Sequence, residues 1–393
     1  MTNGFTQKAV STQQLLLSLS LSLNMGGQLG DELCYPQYHN ASCRKAMHSQ
    51  SEDMILHSLL SCITLFTVVL NLVFVLIFSH FRQLHTSTNL LLLSLAVADF
   101  LVGLLQMPAE IHVLGGCWML GDFICAVNYF LGYLTVSVSV GNMVLISIDR
   151  YMAICDPMFY STKVTLRRVQ YCVCLCWIFS GVHSAWILRI FLKQPDMYNA
   201  CYGECVVVLS YVETSADLFF TFLGPIVVIT ILYLLVFVVA VSQARAMRSH
   251  IATVTLQRSE TVKAKKSELK AARTLGVVIA AFILCNSPYY CFIVAAEYNL
   301  IGASTAYIEL WLLYFNSCLN PVIYVFFYPW FRKAIKHIVT LQILQPGSNE
   351  GEIIPILSSI NSIHTAQSWG WLMSMHISVD ISEVKQMEVL IMT

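Results

Sequence analysis

Charge is what this chain has least of. Asp, Glu, Lys and Arg together make only 11% of its 393 residues, with 22 cations balancing 22 anions. Such a balance offers no basic field for a nucleic acid. Catalytic signatures are missing as well: His57, His80 and His183 near the apolar runs have no His-Glu-x-x-His or Gly-x-Ser-x-Gly context, which argues against an intramembrane enzyme. The last apolar run, 310–327, holds no Lys and so no retinal Schiff base. Internal repeats and paired broken segments, the marks of many transporters, are absent. No cysteine follows Cys318, which excludes a thioester lipid anchor beyond that run.

What the chain has instead is hydrophobicity, at 57% of residues and a mean hydropathy of +0.68. Windows of roughly 20 apolar residues, the length that crosses a bilayer, occur seven times: Met54–Ser79, Asn89–Pro108, Phe123–Ile148, Tyr171–Leu188, Leu218–Val241, Thr274–Ala296 and Leu310–Phe327. The expected fold is an all-α membrane bundle of seven helices. Cations gather in the first, third and fifth connections and after the last span, among them Arg82, Arg167, Arg168, Lys265, Lys266 and Lys333. The connections on the opposite side hold only Arg189 and Lys193, so the N-terminus is expected outside and the C-terminus inside.

Cys125, Cys201 and Cys205 then fall on the oxidising side. A Cys125–Cys205 bridge is expected. Cys34 or Cys43 could supply a second bridge to Cys201, since connectivity does not follow from sequence alone. Asn40-Ala41-Ser42 is an outward glycosylation sequon. Residues 1–53 form the extracellular segment, 54–327 the membrane domain, 328–339 a short amphipathic eighth helix in the interface, and 340–393 a cytoplasmic tail expected to be disordered. Within the first segment, Gln14–Leu23 reads as the apolar core of a signal or as a spurious upstream start, with Met25 as a second initiation site.

Several polar residues punctuate the spans. They are Asn71, Asp99 in Leu95-Ala96-Val97-Ala98-Asp99, Asp149-Arg150-Tyr151, Trp177, Pro225 with Tyr233, Pro288, and Asn320-Pro321-Val322-Ile323-Tyr324. In this order, roughly one set per span, they resemble the rhodopsin-type (class A) G-protein-coupled receptors from Met54 to His337. The segment from Asn316 through Tyr324 to Tyr328 and Trp330-Phe331 is similar to the seventh-helix signature of trace amine-associated receptors.

The resemblance implies a switch. Ionised groups inside a membrane are costly and mark pathways or switches. Arg150 must pair while the bundle is closed, with Asp149 beside it or with Glu268 across the helices. Glu268 has a second reading, as a solvated partner of Lys265 and Lys266. Tyr233 and Tyr324 would swing toward Arg150 on opening. Around Asp99 the resemblance brings Ser139, Asn316, Ser317 and Asn320, either as an oxygen-lined sodium site or as a water network about a protonated acid. Where the family carries Cys-Trp-x-Pro, this chain has Cys285-Asn286-Ser287-Pro288, so Phe282 and the Pro288 kink are left to carry the hinge, with Asn286 expected near Asn316 or the waters of that site.

The ligand end departs from the aminergic pattern too. Where those receptors place an Asp in the third span, seven residues after the bridged Cys, this chain has Gly132. Asp217, eight residues before Pro225, offers a carboxylate from the fifth span instead, an exchange the resemblance places in a fish-expanded branch of the family. A primary amine, with a pKa of about 10.4, arrives protonated. The expected pocket is Asp217 with Thr221, Phe222, Tyr133, Tyr289, Tyr290, Trp311 and Tyr314, whose rings can meet a cation. Glu213 lies one turn before Asp217, and two anions on one face invite a di- or polyamine. The alternative places Glu213 at a solvated rim and Asp217 toward outer water.

By resemblance the partners are a small amine, membrane lipids and a heterotrimeric G protein of stimulatory or olfactory type, met on the cationic face of Met152–Lys163 and Ser242–Lys270 and raising cyclic AMP. The role implied is an olfactory amine receptor. A neurotransmitter-type amine receptor or a receptor for a non-amine odorant are the alternatives.

Overall fold

The computed structural model describes residues 33–38, 41–44, 50–81, 84–114, 116–194, 199, 201–207, 209–251, 259–297, 306–327, 331–332 and 335. At several helix ends, including 243–251 and 259–275, it describes the backbone alone. Asn40, the run 14–23, Met25, the tail 340–393 and the side chain of Glu268 therefore lie outside the described residues. Of the expected eighth helix, Phe331, Arg332 and Ile335 are described, and they are helical.

The first span is Gln50–His80 and the third Gly121–Cys155. The fourth is Leu166–Ile187, the sixth Ser259–Glu297 and the seventh Ala306–Phe327. The second runs Ser87–Leu101, through a π turn at Val102–Gln106, to Met107–Leu114. The fifth runs Tyr211–Leu218, a π turn at Phe219–Leu223, and Gly224–Ile251. Among the described residues, five of these helices are long and apolar enough on length and composition alone to cross a membrane. The described residues contain no strand, only isolated bridges.

Local chemistry sets the ends. Thr86 and Thr165 cap the second and fourth spans, each accepting from a backbone N–H three residues on. Asp156 caps a short helix on the inner side, Pro157–Lys163, with Pro157 in the first turn where no N–H is needed. The fifth span begins seven residues earlier than its hydropathy indicates, because Ser210 and Glu213 close a reciprocal capping box. The two π turns have a common cause. A proline lacks the N–H and its ring collides with the carbonyl four residues back; for Pro108 and Pro225 that carbonyl belongs to Leu104 and Thr221, each inside the widened turn.

The third span is central, touching the second, fourth, fifth and sixth, while the seventh closes the ring against the first and sixth. Three disulfides tie the outer face: Cys125–Cys205, Cys43–Cys201 and Cys34–Cys117. The expected central bridge is present, and of the two alternatives for Cys201 it is Cys43 that pairs. Cys34 does not reach Cys201. The Cys43 amide donates to Tyr202 O at 3.0 Å, which registers Cys43 beside Cys201, whereas the Cys34 sulfur lies by Gly116 O, next to Cys117. Gly203 sits at φ +102°, and a Cβ there would meet Cys34 Cβ at 2.9 Å, so this crossing of N-terminal segment and outer connection requires glycine.

Candidate functional site

At the inner end, Asp149 collects every nearby donor. Its Oδ2 accepts from Arg150 Nε at 3.0 Å, Arg150 Nη2 at 2.5 Å and Thr88 Oγ1 at 2.9 Å, and its Oδ1 from Tyr160 O–H at 3.0 Å. Arg150 Nη2 also donates to Thr88 Oγ1. The guanidinium is thus held flat against the second span and the inner-loop helix. Burial raises the Tyr160 phenol above its ordinary pKa, with the Asp149 charge adding to the effect, so this tyrosine stays a donor. Tyr151 packs beside Ile154 and Val236. Tyr233 lies against Gly276, where a Cβ would meet its hydroxyl at 2.7 Å, and Tyr324 stands between Phe74 and Phe331.

In mid-membrane Asp99 is fully buried. Ser139 Oγ donates to its Oδ1 at 3.2 Å and Asn320 Nδ2 to its Oδ2 at 2.8 Å, with Ser317 also bonded to it. Next to this group lies a cavity with about 20 Å³ of room, lined among others by Ser139, Phe282, Asn286, Asn316, Ser317 and Tyr314. That is space for one water-sized guest. Asn286 Nδ2 donates to Phe282 O at 2.7 Å, and Asn316 Oδ1 is buried without a partner among the described residues.

Toward the outer end the expected ligand residues come together in two groups. Asp217 is 8% exposed, and its Oδ1 is buried with no hydrogen-bond partner among the described residues. One turn on, Thr221 Oγ1 meets Asp217 O at 2.5 Å and Tyr290 O–H at 2.7 Å. Tyr290 stacks on Phe222 with centroids 4.5 Å apart and meets Tyr289 edge-on at 5.2 Å. Tyr133, Tyr289 and Tyr290 all lie within reach of the Asp217 charge. Trp311 and Tyr314 form the second group, packed with Leu60, Val102 and Met107. Over both lies the outer connection: Tyr129 O–H donates to Cys205 O at 3.2 Å, and Val206 and Val207 are buried.

Glu213, expected beside Asp217, is engaged by other groups. It is 1% exposed, its Oε2 accepts from Ser210 N at 2.7 Å, and its Oε1 is 2.6 Å from Arg189 Nη1. Ser210-x-x-Glu213 was the local signal for that capping duty.

Two residues carry weight that their sequence context hid. A Cβ on Gly132 would meet Gln106 Oε1 at 2.9 Å, while Gln106 Nε2 donates to Asn128 O at 3.0 Å. Gln106 thus fills the space that a third-span side chain would take. Glu110 is a further buried carboxylate, 8% exposed, 3.5 Å from Tyr314 O–H. A lone acid in the run Pro108-Ala109-Glu110-Ile111 was its one signal.

Residues 70–324 match the 7 transmembrane receptor (rhodopsin family). Trace amine-associated receptor 13c of Danio rerio is 35% identical over 334 residues, covering 81% of this chain and 95% of that protein. Trace amine-associated receptor 9 of Rattus norvegicus is 38% identical over 328 residues, with 81% and 96% covered, and receptor 7e of the same animal is 36% identical over 345 residues, with 85% and 96% covered. The chain therefore belongs to the rhodopsin family of seven-transmembrane receptors, multi-pass proteins of the plasma membrane and not enzymes, and within it to the trace amine-associated receptors.

Proposed function

We propose that this receptor senses protonated amines through Asp217 and signals by releasing Arg150 toward a stimulatory or olfactory G protein, raising cyclic AMP. The observation that carries the reading is the unpartnered, buried Oδ1 of Asp217 beside a wall of tyrosines. A carboxylate in such a place is costly without a counter-charge, and no Arg or Lys among the described residues is paired with it. An ammonium supplies the charge. The rings of Tyr133, Phe222, Tyr289 and Tyr290 add cation–π attraction of roughly 0.5–2 kcal/mol. With Gly132 in the third span and Gln106 against it, the charge comes from the fifth span instead.

On the inner face the two-state element is the Asp149–Arg150–Thr88–Tyr160 cluster. Ligand at Asp217 favours whichever arrangement of the fifth and sixth spans holds it best, and only such differential affinity can shift the equilibrium. Thr221 and Tyr290 link those spans directly. An olfactory role suits a receptor for small volatile bases.

The oxygens around Asp99 fit a sodium ion: a carboxylate, Ser139, Ser317, the orphaned Asn316 Oδ1, and room for one small guest. Asp99, Ser139 and Asn316 would hold it, and its charge would offset that of the buried acid.

The test is cyclic AMP in cells challenged with an amine panel. Truncating one partner of a buried charge pair costs about 3–5 kcal/mol, so Asp217→Asn is expected to weaken amine potency by roughly two to four powers of ten. Undiminished potency at equal surface level would reject the assignment.

A further inference from the structure

The amine reading leaves one buried acid unexplained. Glu110 lies on the outer segment of the second span, beyond the π turn, and the described residues pair no cation with it; its contact is the Tyr314 hydroxyl at 3.5 Å. Tyr314 itself is buried, packed edge-on against Trp311 in the cluster of Leu60, Val102 and Met107. Tyr129, Tyr289 and Tyr314 are all within reach of the Glu110 charge, and Tyr289 feels Asp217 as well. The chain neighbours of the two acids, Ala109 and Ala216, pack against the same outer cluster of Cys205, Val207 and Leu209. Two spans thus bring two carboxylates under one cover, with Tyr289 within reach of both. One of the two presents an unpartnered oxygen, Asp217 Oδ1.

We propose that Glu110 is a second cation-binding residue beneath the outer connection, opposing Asp217, and that the ligand it selects carries two ammonium groups. The proposal rests on Asp217 being the amine anchor. It replaces the pairing of Asp217 with Glu213, because Glu213 is occupied by Arg189 and by its own helix start. A monoamine can neutralise only one of two buried acids. A diamine neutralises both, and the tyrosines along its path shield the methylene chain while offering their ring faces to each end. The Tyr314 hydroxyl, already turned to Glu110, holds the carboxylate for the second ammonium.

The experiment compares straight-chain monoamines with α,ω-diamines from propyl to octyl in a cyclic AMP assay on the full chain, with surface level read from an N-terminal epitope. In the wild type the best diamine is expected to exceed its matched monoamine by about tenfold or more, the effect of one charge-assisted hydrogen bond. Glu110→Gln is expected to erase that advantage while leaving monoamine potency in place, and Glu213→Gln to preserve it. Should Glu110→Gln fail to reach the surface, Glu110→Asp withdraws the carboxylate by a methylene and is expected to move the preferred diamine to a longer chain. A diamine preference unchanged in Glu110→Gln, a length preference unchanged in Glu110→Asp, or no diamine preference in the wild type would overturn the proposal alone. Full amine responses in Asp217→Asn would overturn it together with the reading beneath it.

Discussion

Restoring an acid to the third span should fail unless Gln106 is removed first. A Cβ on residue 132 alone would stand 2.9 Å from Gln106 Oε1, and that side chain is 2% exposed and tethered through Nε2 to Asn128 O. Because Nε2 is engaged, the atom facing position 132 is an acceptor. A carboxylate there would confront a carbonyl oxygen with no water between them. Moving Gln106 aside forfeits its hydrogen bond, about 0.5–1.5 kcal/mol, and forcing extra atoms into a packed site costs typically 1–3 kcal/mol. Gly132→Asp should therefore lose about 2–4 kcal/mol of stability and gain no amine potency. Gly132→Asp with Gln106→Ala removes the obstruction. The double variant is expected to recover surface level and to gain monoamine potency by about tenfold or more, the effect of one added charged contact. Surface staining and cyclic AMP dose–response curves measure both. A single Gly132→Asp receptor with normal surface level and improved amine response would refute the argument that Gln106 fills this space.

Asp149→Asn weakens the hold on Arg150 and should raise basal cyclic AMP without ligand; an unchanged baseline would argue that another group restrains the arginine. Replacing both Cys34 and Cys117 by Ser opens a loop of 83 residues, and the chain-entropy account puts that at about 4–5 kcal/mol; thermal unfolding of the solubilised receptor should fall clearly below wild type. Glu213→Gln removes half of a capping box, about 0.5–2 kcal/mol, and should lower thermal stability while leaving amine selectivity intact. In Asp99→Asn, replacing sodium by choline in the assay medium should no longer alter amine potency, whereas the wild type should respond to the exchange.

The parts of this molecule that follow local rules were legible in the chain itself. Seven apolar runs, the asymmetry of Lys and Arg, and the outward cysteines yield the bundle and its orientation, because each depends on a short stretch and the solvent around it. What escaped was set by meetings between distant segments. Cys117 becomes the partner of Cys34 only once the N-terminal segment crosses the outer connection at Gly203. Gln106 fills the gap above Gly132 because a π turn aims it there. Glu110 looked like a stray acid until Tyr314, 204 residues further on, reached it. Glu213 is the instructive exception, since a purely local capping pattern was present and the attraction of two neighbouring anions drew attention from it.

The widened turns in the second and fifth spans have a mechanical consequence. An α-helix rotates about 100° per residue, so an extra residue accommodated at Val102–Gln106 or Phe219–Leu223 re-aims everything on the extracellular side by that angle and leaves the cytoplasmic side in register. Glu110 and Asp217 both sit just outward of such a swivel. The two ends of each rod can thus be tuned separately, one for the ligand and one for the transducer, without either alignment spoiling the other.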